Sequence, residues 1–402
     1  MPAGKRGPHA AASSALGYAY QFRYALLEAL RRIPGVDPIS IRIETLDDVV
    51  FETGDSSLEV FQTKHHVQSQ ANLTNASPDL WKTLGNWIEG QSDGTIPRDT
   101  RFFLVTTAVC ADGSAAAYLR ADKDRDEAKA LEHLSATAAI SSTSTNAAAY
   151  RSFIALKSTD RENLLGSVTI VDGSPSIDDL DKQLRQAVFY ATERRFLDSF
   201  LNRLEAWWYD RVLKHLRDSS ASPILGEELE AEENRLREQF KDDNLPIDPD
   251  IMRAAVDASG YLGQTFVRQL NLIGVNENRI VHAIRAYYRA FEHRSRWVRE
   301  KLIYVGDLER YEAQLVEEWD LQFQQMRDEL GTAAAEEAMT GAAQALYRWV
   351  ESGAHLPIRP AVTEPAIARG SYQMLADDLR VGWHPEFRQR LQAVVLGVVP
   401  NP

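Results

Sequence analysis

Four side chains between positions 44 and 64 have the types and spacing of a metal-assisted phosphodiester site. Glu44 and Asp48 share a parity opposite to that of Ile41, Ile43, Val49 and Phe51. An uninterrupted strand through this stretch therefore sends both carboxylates to one face. In the following stretch Leu58, Val60, Gln62 and Lys64 also share a parity, so Gln62 and Lys64 project together. Pairing the two stretches through a turn at Gly54 gathers two carboxylates, an amide oxygen and an ammonium. Hard oxygen donors from Asp48, Glu44 and Gln62 suit Mg²⁺ (or Mn²⁺), which keeps several waters and also binds substrate phosphate. Such a cation lowers the pKa of a bound water, while Lys64 orients the nucleophile or offsets charge on phosphorus. The same spacing also fits a solvent-facing hairpin with a polar outer side. Asp47 is the alternative to Asp48 as ligand; Asp48 has the parity of Glu44 and adjoins the apolar Val49.

The elements that must position these groups are legible as changes of period. Tyr18, Phe22, Ala25, Leu26, Ala29 and Leu30 recur at helical spacing, and Pro34-Gly35 stops that helix after about Ile33. Residues 39–52 then alternate, with Val49 to Phe51 resuming the apolar stretch before the turn at Thr53-Gly54-Asp55. Residues 58–66 form the next strand and 102–109 a third, buried on both faces. Between them Leu80, Trp81, Leu84, Trp87 and Ile88 have helical spacing. The result is an α/β module with a small mixed sheet. Residues 136–148, rich in Ser, Thr and Ala, read as a surface loop, and 167–172 as a short strand that fits best in the same sheet. Beyond it the pattern is helical almost throughout, with long segments near 176–218, 225–243, 277–302 and 306–330. Such helices must pack on one another or on a partner. Within the last, Leu308, Tyr311, Leu315, Trp319, Phe323 and Met326 form a stripe.

Composition narrows the functional classes. The chain has 402 residues, with 45 basic against 58 acidic side chains for a net charge of −13. Net charge therefore provides no general attraction for a polyanion, and only a local groove can bind one. Cys110 is the single cysteine, which excludes an internal disulfide and a multi-cysteine zinc site and fits a reducing cytoplasm. No apolar run reaches the roughly 18 residues of a membrane span, and no secretory leader is read. There is no HExxH pair, GxSxG elbow or phosphate-binding GxxxxGK[ST] loop, so any ATPase is expected in a partner. Several other features have a structural and a functional reading. His65 and His66 follow Lys64 and either end the strand or touch phosphate. The basic run from His293 to Lys301 is either a helix face or a nucleic-acid contact, and Trp207, Trp208 and Tyr209 fit a core or an interface better than a base-stacking platform. The acidic helix from Gly226 is unlike a DNA-facing surface.

The stretches 17–30, 43–52, 58–66 and 79–87 resemble, in combination, the N-terminal nuclease domain of the PD-(D/E)XK superfamily. The likeness is to the Q-x-K variant found in effector nucleases of bacterial antiphage systems, such as CBASS effectors. Across residues 15–110 the resemblance implies a restriction-endonuclease-like fold. It carries over Gln21, Glu44, Asp48, Gln62 and Lys64, with metal held chiefly by Asp48 and Gln62 and with Lys64 as the catalytic lysine. Gln62 stands where many relatives have Glu or Asp, which gives Glu44 a larger share in binding the metal. His65 is a supporting candidate beside Lys64. Residues 365–387 resemble the C-terminal signature of ABC-three-component defence proteins, a group that includes Lamassu effectors. That resemblance implies a helical domain binding an SMC-like ATPase and a small third subunit.

The expected architecture is an arm over 1–14, an α/β restriction-endonuclease-like domain with a small mixed sheet over 15–190, and an all-α partner-binding domain over 191–402. The expected activity is metal-dependent cleavage of double-stranded DNA as a defence effector in the cytoplasm, restrained by SMC-like partners and activated by release and homo-oligomerisation. The alternative is a non-catalytic DNA- or protein-binding adaptor with a degenerate nuclease fold. The residues do not distinguish DNA from RNA, because the patch addresses phosphate and metal rather than a 2′-hydroxyl.

Overall fold

The computed structural model describes residues 8–36, 38–54, 57–64, 72–140, 145–218 and 222–395, with side chains from 15 to 391. These residues divide into two compact units, the first drawn from residues up to Ala191 with Leu197–Arg235, the second from Thr192–Phe196 with residues 236 onward.

In the first unit, helix α1 (Pro8–Arg32) buries Tyr20, Phe22, Tyr24 to Leu27 and Ala29. It starts well before the expected Tyr18, so residues 8–14 of the expected arm are helical, and residues 1–7 lie outside the described residues. Strands β1 (Ile39–Ile43), β2 (Val49–Thr53) and β3 (Leu58–Lys64) form an antiparallel meander, with Ile43 opposite Val49 and Val49 opposite Phe61. The single alternating stretch expected over 39–52 is thus two strands. Residues 44–48 form the loop between them, built on the turn-forming Asp47 and Asp48. After the short β4 (Asn72–Leu73), α2 (Pro78–Asp93) crosses to β5 (Arg101–Thr106), parallel to β3, and β6 (Val109–Cys110) pairs with β4. The expected strand over 102–109 is therefore split between two sheets. Helices α3 (Glu127–Ile140), α4 (Ala147–Ala155) and α5 (Ser158–Ser167) lead to β7 (Val168–Val171), parallel to β5. That strand joins the main sheet as its sequence implies. Within the expected loop over 136–148, the described residues are helical to Ile140 and again from Ala147.

Alternation along the strands gives the sheet two apolar faces. Val50, Val60, Phe102 and Leu104 pack with Leu80, Trp81, Leu84, Trp87 and Ile88 of α2, the five positions singled out by helical spacing. On the opposite face Phe51, Phe61 and Phe103 pack ring against ring, and the Arg32 guanidinium lies 4.6 Å from the Phe51 centroid.

The unit closes with one helix inside the expected domain and with elements beyond residue 190 that were expected in the helical domain. The segment read as one helix over 176–218 is α6 (Ile177–Ala187) followed by α7 (Leu197–Arg217), and β8 (Ile224–Leu225) pairs antiparallel with β1. The sheet order is β7-β5-β3-β2-β1-β8. Trp208 on α7 is buried and donates from Nε1 to Phe22 O at 2.8 Å, while Arg23 pairs with Asp181 and Glu205. These contacts and the pairing of Ile224 with Ile41 explain why the first unit continues past the expected boundary at 190.

The second unit is helical: the end of α8 (Gly226–Gln239), then α9 (Pro249–Arg253), α10 (Thr265–Leu272), α11 (Glu277–Arg299), α12 (Asp307–Leu330), α13 (Glu336–Ser352), α14 (Pro365–Asp377) and α15 (Phe387–Val395). Tyr311, Leu315, Trp319, Phe323 and Met326 of the expected stripe are buried in its core. Helices α11 and α14 approach so closely that a Cβ on Gly370 would lie 2.0 Å from Ala286 O, which requires glycine there. Among the described residues no helix is long and apolar enough to cross a membrane.

Candidate functional site: an acidic cleft at the β1–β2 loop

The loop between β1 and β2 brings together what a single strand was expected to align. Register continues one step past Ile43 and Val49, so Glu44 N donates to Asp48 O at 3.0 Å. Glu44 adopts φ +53°, a conformation that costs a residue with a Cβ about 1–2 kcal/mol. Gln21 holds this geometry from α1. It is 3% exposed, and its Nε2 donates to Asp48 O at 2.6 Å and to Glu44 Oε1 at 3.0 Å. Gln21 thus clamps the loop by its backbone as well as by a carboxylate.

Asp48 turns towards β3, where its Oδ2 accepts from both N–H and Oγ1–H of Thr63 at 2.7 Å. Asp47 turns towards α2 and accepts from Trp87 Nε1 at 2.7 Å. Both aspartates line the same cleft of about 430 Å³, with Tyr18, Gln21, Glu44, Gln62, Thr63, Lys64, Lys82 and Asn86. Every described residue of the expected site is therefore at one place. His65 lies outside the described residues. Thr63, Lys82 and Asn86 were not singled out from sequence. Thr63 has the parity opposite to Gln62 and Lys64, and its role rests on a hydrogen bond made across the sheet.

The electrostatics follow from crowding of like charge in a partly desolvated recess. Burial, and to a lesser degree the charge of Asp48, pushes the Asp47 carboxyl up to about 7, against the opposing effects of Trp87 and Lys64. Burial also raises Glu44, and the Asp48 charge adds to it, while the Gln21 hydrogen bond and Lys64 oppose the shift. Three carboxylates thus share the cleft with the ammonium groups of Lys64 and Lys82. Among the described residues no group of three or more His, Cys, Asp or Glu side chains is disposed to hold a metal ion. The available oxygen donors still fit Mg²⁺, which is commonly held by one or two carboxylates and completes its shell with water and substrate phosphate.

The other sequence candidates are structural. Arg294 is buried, ion-paired to Glu312 and hydrogen-bonded to Ser371; Arg296 pairs with Asp248 and Asp250; His293 and Trp297 are fully buried. The first part of the basic run thus packs into its own unit, with Arg294 and Arg296 occupied by internal partners, while Arg299 and Lys301 are exposed. Of the three aromatics read as core or interface, Trp208 is buried, Trp207 is half-buried and Tyr209 is exposed with its ring edge-on to Phe22. Cys110 is buried, and burial together with Asp172 pushes its thiol up to about 12, so it stays protonated and poorly nucleophilic.

Solved structures of Cap4 SAVED/CARF-domain containing receptors are similar in part. The one from Moraxella osloensis has 14% identity and a TM-score of 0.35, covering 69% of this chain and 68% of that one. The one from Acinetobacter baumannii, with the cyclic trinucleotide 2′3′3′-cAAA, has 13% identity and a TM-score of 0.34, covering 73% and 67%. At these TM-scores the likeness does not establish a shared fold. No curated protein matches the sequence. Residues 266–391 match the family model of C-terminal domain 7 of the ABC-three component (ABC-3C) systems. The match includes the stretch 365–387 that resembled such proteins and lies within the helical second unit, so it supports a component of an ABC-three-component system.

Proposed function

We propose that the chain is the nuclease subunit of an ABC-three-component antiphage defence complex of the Lamassu type. Its first unit would cleave double-stranded DNA with Mg²⁺ or Mn²⁺, and its second would bind the SMC-like ATPase and the small third subunit. The observation that carries this reading is the convergence of Glu44, Asp48, Gln62 and Lys64 on one cleft, with Gln21 clamping the loop behind them. A bound divalent cation supplies an activated water and neutralises charge at phosphorus. Asp48, Glu44 and Gln62 are the donors that would hold it. Thr63 fixes the Asp48 carboxylate by two hydrogen bonds to Oδ2. Lys64 brings a positive charge to the non-bridging oxygens of the scissile phosphate, where negative charge grows during attack.

One such cleft cuts one strand, so a double-strand break needs two copies, and activation by release from the complex and homo-oligomerisation follows. The test is plasmid cleavage by the purified chain with and without Mg²⁺, for wild type and Lys64→Ala, with the oligomeric state of each sample measured. Cutting that requires both Mg²⁺ and Lys64 supports the nuclease. A metal-replete oligomer that leaves plasmid intact supports the adaptor alternative.

A further inference from the structure

Resting on the nuclease reading, we infer that Lys82 and Asn86 of α2 form a backbone-phosphate contact that holds the nucleic acid beside the scissile group. Lys82 would act as its charged anchor. The two residues are one helical turn apart on the solvent side of α2, opposite the buried Trp81, Leu84 and Ile88. Both are exposed and both line the acidic cleft, where Lys82 is the second ammonium beside Lys64. Among the described residues Lys82 has no ion-pair partner, unlike Arg294 and Arg296 of the basic run.

This wall is held in register with the acidic loop. Trp87, adjacent to Asn86, donates to Asp47 Oδ2 at 2.7 Å, and its ring stacks on Phe102 of β5 with centroids 4.6 Å apart. The positions of Lys82 and Asn86 relative to Asp48 and Lys64 are therefore set by a buried aromatic side chain rather than by a loop.

Electrostatics gives Lys82 its purpose. A polyanion entering the cleft meets Glu44, Asp47 and Asp48 on a chain whose net charge is −13. Lys64 is committed to the reacting phosphate, so a neighbouring phosphate needs a separate cation. Lys82 offers a mobile ammonium for it, and the Asn86 amide can donate to the same oxygens. A lysine contact of this kind carries no base preference and adds about one released counterion to binding.

The experiment uses the full chain and a fluorescent 30-base-pair DNA duplex in EDTA, with affinity measured over a salt series, followed by steady-state cleavage in Mg²⁺. Lys82→Ala is expected to weaken binding roughly tenfold at low salt and to reduce the slope of log affinity against log salt by about one. It should raise KM while leaving kcat nearly unchanged, and Lys82→Arg should restore affinity. Asn86→Ala should weaken binding less and leave the salt slope unchanged. A wild type that cleaves while Lys82→Ala matches it in affinity, slope and KM overturns this contact and leaves the nuclease reading standing. Loss of kcat without a change in affinity or KM also overturns it, because Lys82 would then act in the chemistry. A wild-type oligomer that neither binds nor cuts the duplex removes the nuclease reading and this contact together.

Discussion

The two units treat charge in opposite ways. In the first, three carboxylates and two lysines face one cleft, and Asp47 and Glu44 are raised because burial and like charge are not fully compensated. In the second, the most buried charges are paired. Glu312 lies between Arg294 and Arg380, Arg390 pairs with Glu336 and Glu386, and the buried Gln269 amide spans Ala376 O, Val381 O and Trp383 N. A run of charged residues in sequence is therefore ambiguous until its partners are known. The run from His293 to Lys301 could be read as a helix face or a nucleic-acid contact, and in the structure Arg294 and Arg296 are engaged as struts within the unit while Arg299 and Lys301 are exposed. Lys82 attracted no notice in sequence and lies exposed at the cleft, with no ion-pair partner among the described residues.

The comparison breaks first if removing a charge from the second unit is harmless. Glu312→Ala leaves Arg294, only 6% exposed at its side chain, without its carboxylate. It should destabilise the second unit by about 3 kcal/mol, measured by denaturant unfolding; a loss under 1 kcal/mol would contradict the strut.

The units should next diverge with pH in metal-free buffer. Asp47 is raised from 3.8 to about 7 on folding, so its contribution is present below pH 4 and is lost as pH rises through 7. His293 and His384 are depressed below 6.5, chiefly by burial, so theirs is present above 6.5 and is lost as pH falls. Calorimetry between pH 7 and 5 should therefore show opposing trends, with Asp47→Asn reducing the gain on acidification and His384→Asn reducing the loss. Trends that neither variant alters would refute these assignments.

Smaller effects sharpen the account of the cleft. At the positive φ of Glu44, Glu44→Gly should be more stable than Glu44→Ala by about 1 kcal/mol, while both reduce cleavage. A stability-optimal glycine that is poor in function would mark the strain as serving the site. Lys82→Ala, at an exposed position, should change stability by no more than about 0.5 kcal/mol, in contrast to Glu312→Ala.

Much of this was legible because it depends on period. Alternation put Gln62 and Lys64 together, and helical spacing found the buried face of α2 and most of the α12 stripe. Glu44 and Asp48 were paired for an incomplete reason: residues of equal parity meet on one strand face, and they also meet across a hairpin mouth. Asp47-Asp48 after Leu46 was the turn signal that could have shown the break. What sequence did not show depends on distant partners. The Trp87–Asp47 hydrogen bond spans 40 positions, and β8 pairs with β1 from across the chain, which moves the unit boundary. No local pattern encodes either contact.

The central claim is that the cleft carrying Glu44, Asp48, Gln62 and Lys64 hydrolyses phosphodiesters. Its most direct test is plasmid cleavage by the oligomeric full-length chain in Mg²⁺, for wild type, Lys64→Ala and Asp48→Asn, with folding verified by thermal melting. The account predicts Mg²⁺-dependent cutting by wild type and a loss of at least about a hundredfold in both variants, with Lys64→Ala still folded. Cutting that survives in Lys64→Ala, or none by a metal-replete wild-type oligomer, would contradict it.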